Sequence, residues 1–200
     1  MIVYIHGFNS SSASVKARLI HEALLRLNRG HEFLAPDLHH LPSLAMQKLE
    51  REIARHGAKQ VAVIGSSLGG HYATWLAEKH DLPAVLVNPA VNPHLLLTPC
   101  LGLQKNLHTG EQYQFTPLHL RELERFNASV ISRPERYLLL VQTGDDVLDY
   151  RLAVEKYRGA RQVVIEGGDH GFRNFSDYVS MILEFAAGKL SRPGMKRPGV

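Results

Sequence analysis

The chain has 200 residues, of which 44% are hydrophobic and 21% charged, a composition typical of one globular domain with its own core. Its single cysteine, Cys100, excludes an internal disulfide. No run of the sequence approaches the ~20 apolar residues of a membrane span. Residues 1–7 lack the features of a signal peptide. The net charge of +4 arises from residues 188–200, which hold four basic and no acidic side chains, so the neutral remainder argues against a basic nucleic-acid-binding face.

Short apolar runs alternate with helical patterns along the chain, which is typical of βαβ units and a parallel sheet. The predicted strands cover residues 2–5, 32–35, 61–64, 84–87, 136–141 and 162–165. The predicted helices cover residues 14–27, 44–56, 68–79, 148–157 and 176–187. Because Val, Ile and Leu dominate the strands, we expect helices on both faces of the sheet.

Residues 89–134 interrupt this alternation. They contain several prolines and short helical patterns, but no strong strand. A structureless loop of this length is unusual inside a compact domain, so the pattern predicts a helical insertion, placed as a cap or lid where ligands enter an open α/β sheet. The expected organisation is a single domain over residues 1–187, with this insertion, followed by a flexible basic tail over 188–200.

The strongest local motif is Gly65-Ser66-Ser67-Leu68-Gly69, between a predicted strand and a predicted helix. In that setting G-x-S-x-G indicates a nucleophile elbow, with Ser67 on a sharp turn and glycines where a side chain would meet backbone. A helix start built from small residues is the alternative. A Walker A loop is excluded because no lysine follows, and a dinucleotide fingerprint because position 67 is serine.

A serine nucleophile needs a base and an acid, which follow it in the order acid, then histidine, in this type of fold. Asp145 and Asp146 follow the fifth predicted strand, and His170 follows the sixth. All three groups therefore belong at the same edge of a parallel sheet. Asp145 is favoured as the acid because Gly144 permits a tight turn before it, although both aspartates are also suited to capping the next helix.

Histidine identity alone carries little information, because the chain has 12 histidines. His170 stands out since glycines flank its loop and the loop follows the last strand. Zinc binding is the competing use, but no HExxH or paired-ligand spacing is present. We expect no metal and no cofactor.

The oxyanion of an acyl-transfer intermediate needs two backbone donors. The N–H of Leu68, which follows the nucleophile, is one candidate, and the N–H of Phe8, in the loop after the first strand, is the other. His6 is expected to support that loop through hydrogen bonds.

Five blocks of the chain together resemble the YqiA-type esterases, a group of small bacterial α/β-hydrolases. The blocks are Tyr4-Ile5-His6-Gly7-Phe8-Asn9-Ser10-Ser11, Gly65-Ser66-Ser67-Leu68-Gly69-Gly70, Val87-Asn88-Pro89-Ala90, Gln142-Thr143-Gly144-Asp145 and Gly167-Gly168-Asp169-His170. The resemblance spans residues 2 to about 187. It implies a minimal α/β-hydrolase sheet, carboxylester hydrolysis and a cytoplasmic setting, and it matches Ser67, Asp145 and His170 to the triad.

The expected function is hydrolysis of a small-molecule ester or thioester through an acyl-enzyme. An acyltransferase or thioesterase would use the same triad, and a non-catalytic binding protein on the same fold is the alternative from a different class. The sequence leaves the oligomeric state, the acyl length and the physiological substrate open.

Overall fold

The computed structural model describes residues 1–189, so the prediction of a flexible tail lies almost entirely outside the described residues. The strands are β1 (Ile2–Ile5), β2 (Phe33–Leu34), β3 (Ala62–Ser66), β4 (Ala84–Val87), β5 (Gly102–Lys105), β6 (Gln112–Phe115), β7 (Tyr137–Gln142) and β8 (Arg161–Ile165). The helices are α1 (Val15–Arg26), α2 (Pro42–His56), α3 (Leu68–His80), α4 (Pro93–Leu96), α5 (Pro117–Arg125), α6 (Tyr150–Lys156) and α7 (Val179–Ala186).

Six strands form one sheet in the order β2-β1-β3-β4-β7-β8, and every neighbouring pair is parallel. The chain starts at β1, the second strand of this order, passes to the edge strand β2, and then crosses back through β3 towards β8 at the other edge. The carboxyl ends of β1, β3, β7 and β8 therefore open at the same edge. This topology and its helices make the fold an α/β-hydrolase fold, as the sequence predicted.

Helices cover both faces of the sheet because their apolar residues recur at helical spacing. On one face α1 contributes Ala17, Ile20 and Leu24, which pack with α7 against Tyr4 and Val85 of the sheet. The opposite face carries α2 and α3, packed against a second set of strand side chains. Fully burying one aliphatic side chain is worth about 1.5–3 kcal/mol, so these two layers fix the helices on the sheet.

Predicted element boundaries differ from the structure mainly at helix ends. The second helix begins at Pro42, two residues before its predicted start, because proline suits the first helical turn. The fourth predicted helix begins at Tyr150, because the Asp149 side chain accepts from the N–H of Arg151 and caps it. The last helix begins at Val179, since Phe175–Tyr178 form a 3₁₀ turn.

The insertion is not purely helical. Besides α4 and α5 it contains an antiparallel hairpin, in which β5 pairs with β6. This hairpin was not predicted from the sequence, because its strands are short, largely exposed and polar. The hairpin lies on the loop after β1: the Asn106 side chain donates to the carbonyl of Ser10 (3.0 Å), and the Tyr113 hydroxyl donates to Asn9 Oδ1 (2.7 Å). The insertion therefore forms one wall over the carboxyl edge of the sheet.

Within residues 1–189, no helix is both long enough and apolar enough to cross a bilayer.

Candidate active site

Ser67 occupies a strained turn between β3 and α3. Its backbone has φ 55° and ψ −122°, a region that non-glycine residues rarely adopt. A Cβ at Gly65 would lie 2.2 Å from the carbonyl oxygen of Gly69, and a Cβ at Gly69 would lie 2.0 Å from that of Ile5. Both glycines of the motif are thus required by close backbone contact, as the motif indicated.

The structure brings Ser67, His170 and Asp145 together from three separate strand ends. His170 Nε2 lies 3.1 Å from Ser67 Oγ, and His170 Nδ1 lies 2.9 Å and 3.0 Å from the two carboxylate oxygens of Asp145. These are hydrogen-bonding distances. With Asp145 ionised, His170 carries its proton on Nδ1, which leaves Nε2 free to accept the hydroxyl proton of Ser67.

Asp145 rather than Asp146 faces His170. Burial disfavours its charged form, but the hydrogen bonds from His170 and from the N–H groups of Leu148 and Val147 outweigh that effect and lower the pKa of Asp145. Asp146 points into solvent on the same loop. Ionised and nearly inaccessible at its side chain, Asp145 holds the imidazole in one orientation.

Two buried amide side chains, Asn88 and Gln142, hold the loop that carries His170. Asn88 donates to the carbonyls of Asp169 (3.1 Å) and His170 (3.3 Å), and its Oδ1 accepts from the N–H of Gln142. Gln142 Oε1 accepts from the N–H groups of Asp169 and Arg173. Each of the two residues is 2% exposed, so these bonds form in a dry environment where they are strong.

Asn88 and Gln142 belong to the blocks of sequence that carry the resemblance, but no supporting role was predicted for either. The available signal was a polar amide at the end of an otherwise apolar strand. Such a residue is buried together with its strand and must find hydrogen-bond partners there.

The predicted oxyanion donors, Phe8 and Leu68, line one cavity beside Ser67. Leu68 is the first residue of α3, where a backbone N–H has no partner inside the helix. The loop with Phe8 approaches Ser67 closely, since a Cβ at Gly7 would lie 3.1 Å from Ser67 Cβ. These placements suit an oxyanion site, and the donor roles themselves stay predictions.

His6 supports the loop after β1. Its Nε2 accepts from the N–H of Leu38 (3.2 Å), so its proton is on Nδ1, which donates to the carbonyl of Gly7 (3.0 Å). Desolvation by burial lowers the pKa of His6, and the neutral ring fits both bonds. His6 therefore fixes the loop from which the Phe8 amide projects.

In the part of the chain that the structure describes, no three His, Cys, Asp or Glu side chains are grouped to hold a metal ion. The chemistry available at the site is that of a serine hydroxyl, an imidazole, a carboxylate and backbone amides.

The family model described as "Uncharacterised protein family (UPF0227)" matches residues 1–187. A UPF0227 protein from Serratia proteamaculans is 26% identical over 196 residues, which cover 92% of this chain and 98% of that protein.

Among solved structures, a protein from Agrobacterium vitis S4, provisionally described as a hydrolase, has a TM-score of 0.72 at 18% identity. The match covers 92% of this chain and 87% of the Agrobacterium vitis chain. Est1E from Butyrivibrio proteoclasticus, determined with ferulic acid bound, has a TM-score of 0.66 at 15% identity, with coverage of 96% and 89%. At such identities the solved structures establish a shared fold.

Proposed function

The chain belongs to the UPF0227 family, the family of the YqiA-type esterases, and on that premise we propose that it is a serine esterase that hydrolyses carboxylic esters or thioesters. The observation that carries the proposal is the hydrogen-bonded series from Asp145 through His170 to Ser67, on a strained turn beside two candidate oxyanion donors. The esterase and hydrolase descriptions of proteins with this fold support the same reaction class.

The first half of the reaction acylates Ser67. His170 Nε2 takes the hydroxyl proton as Ser67 Oγ attacks the carbonyl carbon, and the carbonyl oxygen becomes an oxyanion between the N–H groups of Phe8 and Leu68. Collapse of this intermediate breaks the bond to the leaving alcohol or thiol. His170 returns its proton to that leaving group, so the products are an acyl-enzyme and a free alcohol or thiol.

The second half releases the acid. His170 takes a proton from water, the hydroxide attacks the acyl carbonyl, and Ser67 leaves with the proton that His170 returns. Asp145 stays ionised throughout and stabilises the imidazolium that forms twice per cycle. Its lowered pKa favours this role, because a carboxylate that resists protonation keeps the Nδ1–H tautomer of His170.

Two alternatives use the same residues differently. An acyltransferase would pass the acyl group to an acceptor other than water, and a thioesterase would release a thiol; both follow from the same geometry. A non-catalytic binding protein would not need the strained backbone of Ser67, whose energetic cost is of order 1–3 kcal/mol. The cytoplasmic setting implied by the resemblance stays a prediction.

The proposal is tested by hydrolysis of 4-nitrophenyl butanoate near neutral pH. Ser67→Ala is expected to lower kcat on the order of 10⁴-fold or more, because no nucleophile remains for the base to activate. Ser66→Ala, at the neighbouring serine of the same motif, is the matched control and retains activity. Equal rates for wild type and Ser67→Ala would exclude the proposed nucleophile.

A further inference from the structure

The cavity beside Ser67 has one wall from the oxyanion loop and one from the insertion. The first wall is formed around Phe8 and Asn9, and the second around Tyr113, while His39 and His40 lie on the segment between β2 and α2. The ring of His40 stacks on Tyr113 with centroids 4.3 Å apart, and the ring of His39 lies tilted against it with centroids 4.2 Å apart. Three rings in contact thus form one side of the cavity.

A chain of hydrogen bonds fixes which nitrogen of His40 carries its proton. The N–H of Thr116 donates to His119 Nδ1 (3.1 Å), so the proton of a neutral His119 is on Nε2. That Nε2–H donates to His40 Nδ1 (3.0 Å), which places the proton of His40 on Nε2. Desolvation lowers the pKa of both histidines, and the neutral forms satisfy every bond in the chain.

His39 is held in the same way. Its Nδ1 accepts from the N–H of Leu41 at 2.9 Å, so a neutral His39 also carries its proton on Nε2. Within residues 1–189, no hydrogen bond involves the Nε2 atom of His39 or of His40. Two residues that line the cavity therefore carry N–H donors that the described part of the chain does not use.

The acceptor that suits these donors is uncharged. Glu111 lines the same cavity, and its carboxylate disfavours an anionic group there. A hydroxyl or carbonyl oxygen accepts a hydrogen bond from a neutral imidazole N–H without adding a second negative charge.

The position of His170 decides which part of an ester enters the cavity. His170 must lie next to the leaving group that it protonates. The cavity reaches Ser67 only through its neighbours Gly7 and Leu68, and Ser67, His170 and Asp145 themselves do not line it. The oxyanion loop does line it. The group on the side away from His170 is the acyl group.

Resting on the proposed esterase function, we propose that the His40 side chain selects substrates whose acyl group carries a neutral oxygen acceptor a few bonds from the ester carbonyl. His40 Nε2–H donates to that oxygen, His119 and Tyr113 hold the ring for this purpose, and His39 provides the second donor at the rim. Oxygenated short acyl groups, such as hydroxyacyl and oxoacyl groups, are therefore the preferred class over plain alkanoyl groups.

The test compares matched 4-nitrophenyl esters: 3-hydroxybutanoate against butanoate, and 4-oxopentanoate against pentanoate. One neutral hydrogen bond corresponds to a preference of roughly two- to tenfold in kcat/KM. The preference of the wild type for the better oxygenated ester is divided by that of His40→Phe, which keeps the stacked ring and loses the donor. This double ratio cancels the intrinsic reactivity of each ester and any general loss of activity.

The inference predicts a double ratio of at least about two for His40→Phe. The control is His31→Phe, at an exposed histidine outside the cavity, for which the double ratio should be near one. His40→Gln restores a donor and should recover the preference. A double ratio of one for both ester pairs would overturn the inference while leaving the esterase intact. Absence of turnover of all four esters, together with no covalent labelling of Ser67, would instead refute the proposed function on which it rests.

Discussion

Replacing Asn88 tests whether the loop of His170 depends on one buried amide. Asn88 is 2% exposed and has a backbone φ of 41°. Its side chain makes three hydrogen bonds, two to carbonyls of the His170 loop and one from the N–H of Gln142. These bonds join the His170 loop to the ends of β4 and β7 at this one side chain.

The magnitude follows from the bonds and the backbone. In Asn88→Gly the N–H of Gln142 loses its acceptor, which costs about 1–3 kcal/mol for a buried donor, and two carbonyls lose a donor; we expect a loss of about 2–4 kcal/mol in the free energy of unfolding. Asn88→Ala adds about 1 kcal/mol, because a Cβ without a compensating polar group disfavours positive φ. Glycine thus isolates the side-chain bonds, and alanine adds the backbone penalty.

The assay is urea denaturation of both variants, with kcat and KM for 4-nitrophenyl butanoate measured on the folded proteins. We expect kcat to fall more than KM rises, because His170 loses its fixed position while the cavity lined by Phe8 and Tyr113 is untouched. An Asn88→Gly variant within about 0.5 kcal/mol of wild type would refute the reasoning, as would an Asn88→Ala variant more stable than Asn88→Gly.

Three further predictions concern the core around the site. Burial lowers the pKa of His71 to about 3, while its Nε2–H donates to the carbonyl of Leu123 (3.0 Å). As pH falls below 6.5, the imidazole of His71 therefore binds a proton in the unfolded chain before it does so in the folded protein. The free energy of unfolding of wild type should fall by about 1.4 kcal/mol per pH unit because of this group. Urea titrations that show the same pH slope in His71→Gln would contradict this. Gly69→Ala should cost about 3 kcal/mol, because its Cβ would lie 2.0 Å from the oxygen of Ile5, and an unchanged thermal midpoint would show that the turn relaxes. Tyr157→Phe removes a buried hydroxyl bonded at 2.7 Å and should cost about 1 kcal/mol in urea denaturation, with no change as the opposing result.

The parallel sheet was predictable because its strands are apolar on both faces and are separated by helical periodicity. Residues 2–5 and 84–87 were predicted with the bounds that the structure has. The relative placement of Ser67, Asp145 and His170 followed from one rule, that the carboxyl ends of parallel strands share an edge. The sequence thus contained the information that brings these three side chains together.

The insertion and the supports of the site were not predictable in the same way. The hairpin strands β5 and β6 alternate weakly, and their pairing is stabilised by contacts with Asn9 and Ser10 nearly a hundred residues earlier. The roles of Asn88 and Gln142 depend on three chain segments meeting in space. Local patterns report periodicity and turn chemistry, whereas these features arise from tertiary contacts between distant parts of the chain.

The most direct test of the central claim is covalent labelling with a fluorophosphonate probe, followed by intact mass measurement and peptide mapping. An activated serine attacks the phosphorus and displaces fluoride, so one adduct on Ser67 is expected. The adduct should be absent in Ser67→Ala and strongly reduced in His170→Ala, while both variants remain folded. An unlabelled wild-type protein that is folded, or an adduct on a different residue, would contradict the account.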